Sequence, residues 1–180
     1  MGQNKALMRL GSKSLIEHVA DALSPVVSQL GVVVAQREEY KWLPLELYID
    51  LWPGKGPMSG IATALSAAQN QYCLIVACDM PFIQTVFFER LIALSSGYQL
   101  TIAEDQGGFL QPLAAIYHKS CLTVVKQMIS EEVLRPQALL DRVSSRVVRY
   151  SQFSDLEGAY KLFSNLNTPK EFAQAEQEFQ

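Results

Sequence analysis

Asp79 follows directly on the most apolar stretch of the chain, Tyr72-Cys-Leu-Ile-Val-Ala-Cys78, and precedes Met80-Pro81. A carboxylate at the tip of a buried strand is partly withdrawn from water, which is costly unless something positive offsets it. A Mg²⁺ ion bridging to phosphate oxygens is one such partner, because Mg²⁺ takes only one or two protein carboxylates. A turn-forming or helix-capping aspartate ahead of Pro81 is the other reading, and position alone leaves both open. Lys5, ahead of the first helical pattern, could neutralise phosphate oxygens as a point charge; taken alone it also reads as a surface lysine. From Pro53 to Gly60 the chain holds three glycines and two prolines in eight residues. Glycines let a backbone approach a ligand closely, and backbone N–H groups near a helix start attract anions. The spacing is no Walker A match, and an ordinary tight loop accounts for it equally well.

These residues need elements to place them. Ser14-Leu-Ile-Glu17 reads as a capping box opening a helix to about Leu23. Gly31 to Ala35 and Leu45 to Asp50 read as strands, the first a continuous valine run expected for a strand buried on both faces. Met58 to Gln69 has helical spacing, and Tyr72 to Cys78 is the clearest strand. Further helices are expected at Thr85 to Leu94, Ser120 to Ile129 and Pro136 to Leu140. Strands are expected at Gln99 to Ala103, Leu113 to Tyr117 and Arg146 to Tyr150. Thr168-Pro169-Lys170-Glu171 opens a last helix, with Thr168 as N-cap and Pro169 in the first position. Strands separated by helices imply βαβ units and a mainly parallel sheet covered on both faces. Ligands of such sheets bind beyond the carboxyl ends of the strands. Asp50, the glycine-rich loop and Asp79 should therefore share one rim.

The bulk properties agree with one α/β domain spanning residues 1–180. The chain has 180 residues, 49% hydrophobic and 18% charged, with a net charge of −3. No basic excess suggests a nucleic-acid partner, and no apolar run approaches the ~20 residues of a membrane span. Cys73, Cys78 and Cys121 lack zinc-site or redox-pair spacing and read as small buried hydrophobes, fitting a reducing cytoplasm. His18 and His118 have no partner motif and read as non-catalytic. The aromatic residues are scattered, with no base-stacking pattern.

Six segments, in order, resemble the molybdenum cofactor guanylyltransferase family. Met1-Gly2-x-x-Lys5-Ala6-Leu7 looks like the end of its Gly-rich N-terminal signature. Gly11-Ser-Lys-Ser-Leu-Ile-Glu-His-Val19 is similar to the turn and helix that follow. Asp50 with Pro53-Gly-Lys-Gly-Pro-Met-Ser-Gly-Ile61 is similar to its middle loop, and Cys78-Asp79-Met80-Pro81 to its metal-binding Cys-Asp-x-Pro turn. Gln111-Pro112-Leu113-Ala114 and Asn165-Leu-Asn167-Thr-Pro169 complete the series.

The resemblance implies a three-layer Rossmann-like nucleotidyltransferase fold. It implies transfer of GMP from GTP to the phosphate of molybdopterin, with pyrophosphate released and Mg²⁺ as cofactor. On it, Lys5 steadies the triphosphate, Asp79 holds Mg²⁺, and Asp50, Gly54 and Gly56 contact the nucleotide with Gln36 a further candidate. Asn165 and Asn167 line the pterin side. Molybdenum-insertion proteins, and acceptor molybdoenzymes or their chaperones, are the implied protein partners. Three features depart from the pattern. Asn4 replaces the family's Asp, Ala35 and Gln36 replace a polar residue often Asn, and the first strand with its Gly-rich phosphate loop is expected ahead of Met1. Without that central strand two sheet edges should lie open. A related cytidylyltransferase, or an inactive binding module lacking the phosphate loop, are the competing readings.

Overall fold

The computed structural model describes residues 4–166 and 168–178. A short hairpin comes first, β1 (Arg9–Leu10) and β2 (Lys13–Ser14), and leads into helix α1 (Leu15–Leu23). Then follow β3 (Gly31–Val34), β4 (Glu46–Ile49), α2 (Pro57–Ala67), β5 (Tyr72–Val76) and α3 (Thr85–Ala93). The second half contains β6 (Leu100–Glu104), β7 (Leu110–His118), α4 (Cys121–Ser130), β8 (Ser145–Val148) and α5 (Pro169–Glu178). The expected helix at Pro136 is a single 3₁₀ turn, Pro136–Leu139. The expected helices and strands are otherwise present within a few residues, and the first hairpin is an addition.

β3 and β4 pair in parallel, and a second group of strands runs in the order β5-β7-β6-β8. β6 and β8 are parallel, whereas β7 is antiparallel to both neighbours. The expected mainly parallel sheet is present, and β7 is the strand that runs against its neighbours. The five residues between Glu104 and Leu110 are too few for a crossover helix, so β6 and β7 close as a hairpin instead. β7 also contains Pro112, which has no N–H to give to a ladder. The register jumps there, from Ile102 opposite Ala115 to Ala103 opposite Gln111. A bulge is where a central strand tolerates proline, and the buried Tyr117 hydroxyl donates to the Pro112 carbonyl at 2.7 Å.

Helices cover both faces. Val19 and Leu23 of α1 and Phe87, Phe88 and Leu91 of α3 pack with Ala114, Ile116 and Val148. Met58, Ile61 and Leu65 of α2 and Val125 and Met128 of α4 pack on Ile75, Ile102, Ala115 and Tyr117. The capping box expected at Ser14 and the N-cap expected at Thr168 are both formed. The Ser14 amide donates to Glu17 at 2.7 Å and its hydroxyl at 2.6 Å. The Thr168 amide donates to Glu171 at 2.8 Å, and the Glu171 amide to the Thr168 hydroxyl at 3.2 Å.

Between the two groups of strands lies an apolar cavity of about 590 Å³. Val32 and Val33 of β3 and Leu74 and Val76 of β5 form its walls, α1 contributes Ile16 and Ala20, and α2 contributes Gly60 and Ala64. Among the described residues β3 pairs only with β4, and β5 only with β7. Each therefore has one edge without a strand partner among the described residues.

The α1 cap should be measurable. Ser14→Ala should cost about 1 kcal/mol in urea unfolding. The Ser14 hydroxyl, then its amide, hold the Glu17 carboxyl below its ordinary value of 4.5. Stability from a lowered carboxylate is present above that value and lost as pH falls through the folded one. The gap between wild type and Ser14→Ala should therefore narrow on acidification. Ala64→Leu, filling part of the cavity, should raise stability by about 1 kcal/mol; a lower melting temperature would show that the space cannot accept the larger side chain.

Candidate nucleotide site

The sequence-derived candidates do gather beyond the carboxyl ends of the strands. Asn4, which precedes Lys5, ties the start of the chain to the segment after β3. Its amide donates to Glu39 at 2.5 Å and to the Tyr40 hydroxyl at 2.8 Å, residues that follow β3. The next residue, Lys5, lies in a 3₁₀ turn spanning Lys5–Leu7. Its charge reaches the thiol of Cys78, which follows β5. Burial, with a smaller push from the Asp79 charge, raises that thiol to about 11, and Lys5 opposes the rise. Lys5 and Asp79 thus act on one buried sulfur from opposite signs. β3 and β5 also deliver their carboxyl ends to the same place.

Asp79 is half-buried in the turn after β5. Two backbone contacts fix that turn. The Ala77 amide donates to the Leu113 carbonyl of β7 at 2.9 Å, and the Leu166 amide donates to the Asp79 carbonyl at 3.3 Å. The second contact brings the exposed Asn165 beside Asp79. Asn167 lies outside the described residues.

The second carboxylate has a structural task that the sequence did not reveal. Asp50 follows β4, and its amide donates to the Val34 carbonyl at 2.9 Å. One oxygen of its side chain accepts from the Trp52 amide at 3.0 Å, from the Ser59 hydroxyl, and from the Thr63 hydroxyl at 3.4 Å. Thr63 in turn accepts from the Leu51 amide at 3.0 Å. Asp50 therefore fastens the end of β4 to the first turns of α2. Ser59 and Thr63 stand four residues apart on one helix face, which is the signal that could have located them.

Between these anchors runs the glycine-rich loop. Gly54 has φ +85° and Gly56 φ +59°, and a Cβ at either would meet nothing within 4 Å. Backbone conformation, not crowding, demands glycine here. Gly56 is the N-cap of α2 and Pro57 its first residue. Pro57 brings no N–H and the Ser59 amide donates to the Gly56 carbonyl at 3.2 Å, which leaves the Met58 amide as the donor of the first turn. Lys55 is committed elsewhere, to Glu132 at 2.5 Å. Gln36 is exposed two residues beyond β3, on the same side of the cavity as Asp50.

His18 Nε2 meets the Leu10 carbonyl at 2.8 Å, and His118 Nδ1 pairs with the Ser120 hydroxyl at 2.8 Å. All three cysteines are free thiols. Among the described residues no three His, Cys, Asp or Glu side chains cluster as a metal cage. No helix among them is long and apolar enough to cross a membrane.

A mainly parallel sheet with helices on both faces, a glycine-rich loop leading into a helix start and a lone carboxylate after the next strand define a nucleotidyltransferase. A family profile described as "MobA-like NTP transferase domain" matches residues 1–147. A probable molybdenum cofactor guanylyltransferase of Carboxydothermus hydrogenoformans is 35% identical over 175 residues, covering 96% of this chain and 86% of its own. A second, from Pelotomaculum thermopropionicum, is 34% identical over 180 residues, covering 97% and 85%. The crystal structure of molybdopterin-guanine dinucleotide biosynthesis protein A from Archaeoglobus fulgidus superposes with a TM-score of 0.82 at 26% identity, covering 99% of this chain and 91% of that one. The chain belongs to the molybdenum cofactor guanylyltransferase family.

Asp50→Ala should cost about 2 kcal/mol, because it leaves an amide and hydroxyl donors without their acceptor. Asp50→Asn keeps an acceptor oxygen and should cost less. Urea unfolding of both, with limited proteolysis across residues 53–57, measures the fastening role apart from any ligand.

Proposed function

We propose that this chain transfers GMP from GTP to the phosphate of molybdopterin, forming molybdopterin guanine dinucleotide and releasing pyrophosphate. The observation that supports this reading is the position of Asp79 in the turn after β5, with the glycine-rich loop leading from β4 into the start of α2. An acceptor phosphate oxygen attacks the α-phosphorus of GTP in line. The new P–O bond forms as the bond to the β-phosphate bridging oxygen breaks, and the pyrophosphate leaves with that electron pair. The acceptor phosphate is already anionic near neutral pH, so no protein general base is required. What the protein must supply is position and positive charge.

Lys5 supplies charge to the triphosphate. The backbone of the Gly54–Gly56 loop, ahead of α2, would approach its oxygens, Asp50 holds that loop, and Gln36 is the candidate for contact with the base. Asp79 suits Mg²⁺, since a single half-buried carboxylate leaves the other positions to phosphate and water, the usual magnesium pattern. That ion, when bound, neutralises charge on the phosphates. Asn165, exposed and next to the Leu166 that bonds the Asp79 carbonyl, is the candidate contact for the second substrate. A cytoplasmic setting, and hand-over of the product to molybdenum-insertion proteins or acceptor molybdoenzymes, belong to the same reading.

Nucleotide-dependent melting tests the base and the metal together. GTP with Mg²⁺ at about 100 times its Kd should stabilise the chain by about 2.7 kcal/mol, and CTP should not. An equal response to CTP would contradict the guanine assignment. Asp79→Ala should abolish pyrophosphate release from GTP and molybdopterin while leaving the melting temperature without ligand close to wild type.

A further inference from the structure

One large apolar side chain on the rim belongs to neither core nor nucleotide loop. Phe109 is 71% exposed. It ends the five-residue connection from β6 to β7, and that connection is held tightly. Asp105 accepts from the Gly107 amide at 2.8 Å and the Phe109 amide at 2.9 Å with one carboxylate oxygen. Its other oxygen accepts from the Gln111 side-chain amide at 2.9 Å. The Asp105 amide donates to the Phe109 carbonyl at 2.9 Å. Gly108 has φ +82°. A Cβ on Gly107 would lie 3.0 Å from two carbons of the Phe109 ring, so the ring rests directly against the Gly107 backbone. The result is a fixed aromatic plate. One side is seated on glycine, and most of the ring's surface is open.

Its place on the rim is set by strand direction. β5 and β6 both run antiparallel to β7, so the turn after β5 and the connection after β6 emerge at the same end. Across that end the order is β4, β3, the cavity, β5 with Asp79, then β7 and β6 with Phe109. Gln36 and Asp50, which follow β3 and β4, lie on the far side of Asp79 in this order, while the Gly54–Gly56 loop reaches across to α4 through Lys55 and Glu132. Phe109 and Asn165 are left for whatever approaches from the other side.

We infer that Phe109 is a binding platform for the acceptor, stacking on the flat ring system of a pterin. The inference rests on the proposed function for the identity of the second substrate. A pre-ordered aromatic ring on solvent costs no further ordering when a planar ligand covers it, and stacking is sequence- and substituent-tolerant because it uses only the π-face. Asp105 is then a positioning residue, acting through the ring it orients.

The test is direct binding, using pterin-6-carboxylate as a fluorescent probe on the intact chain. Saturable binding is expected, weakened about tenfold by Phe109→Ala, the size of effect that removing one stacked aromatic produces. Phe109→Trp should restore it. In turnover the same alanine variant should raise KM for molybdopterin and leave KM for GTP and the melting temperature without ligand unchanged. Probe binding unaffected by Phe109→Ala, or no saturable binding to wild type, overturns the inference. So does a rise in KM for GTP alone. The GTP response of melting reports separately on the nucleotide reading, so the two can fail independently.

Discussion

Five residue pairs run between β5 and β7, from Tyr72 opposite His118 to Val76 opposite Ala114, and the Ala77 amide carries the ladder one step further. That antiparallel pairing determines where the chain leaves β5, and so where Asp79 stands. It also determines how far β7 reaches along the same rim, and with it the position of Gln111 and of the Asp105–Phe109 connection. A register slip of one residue would turn each of these side chains to the opposite face. The bulge at Pro112 lets one strand serve both neighbours. It restores pairing to β6 after the proline, at Gln111 opposite Ala103.

The two carboxylates that flank the glycine-rich loop show how unlike roles follow from similar positions. Both close a strand at its carboxyl end. Asp50 meets donors from three directions and spends one oxygen on them, which turns it into a clasp between β4 and α2. Asp79 is held through its backbone, by Leu113 on one side of the turn and Leu166 on the other. A group held by its main chain keeps its side chain available for a ligand. In this way the nucleotide loop and the metal candidate are fixed by separate contacts, and a change in one need not disturb the other.

Much of this was legible in the residue order. Buried strands appear as continuous apolar runs, so β3 and β5 stood out. Ser14 with Glu17 and Thr168 with Glu171 marked helix starts because capping depends on residues three apart. Strand direction was harder, because an apolar run such as Leu113 to Tyr117 looks the same whichever way it pairs, and only the short link after Glu104 excludes a crossover. The clasp on Asp50 was hidden because Ser59 and Thr63 are ordinary helix residues until the fold brings them under a carboxylate. Phe109 was hidden too. In sequence it is one aromatic residue after two glycines, and its exposure follows from the tight connection, not from its type.

Charge accounts for the departure at Asn4. The chain carries −3 overall, and its proposed substrates are polyanions. Asn4 donates to Glu39, so an aspartate in that place would set two carboxylates at hydrogen-bonding distance beside Lys5. Such a pair is unfavourable unless one of them holds a proton. With asparagine the same contact becomes attractive, and it fastens the start of the Lys5 turn to Glu39 and Tyr40. One negative charge fewer also leaves the field of Lys5 less opposed at the phosphates. Neutral Asn4 therefore serves both the packing of the rim and the electrostatics of an anionic ligand, two demands that an acid at this position could not meet beside Glu39.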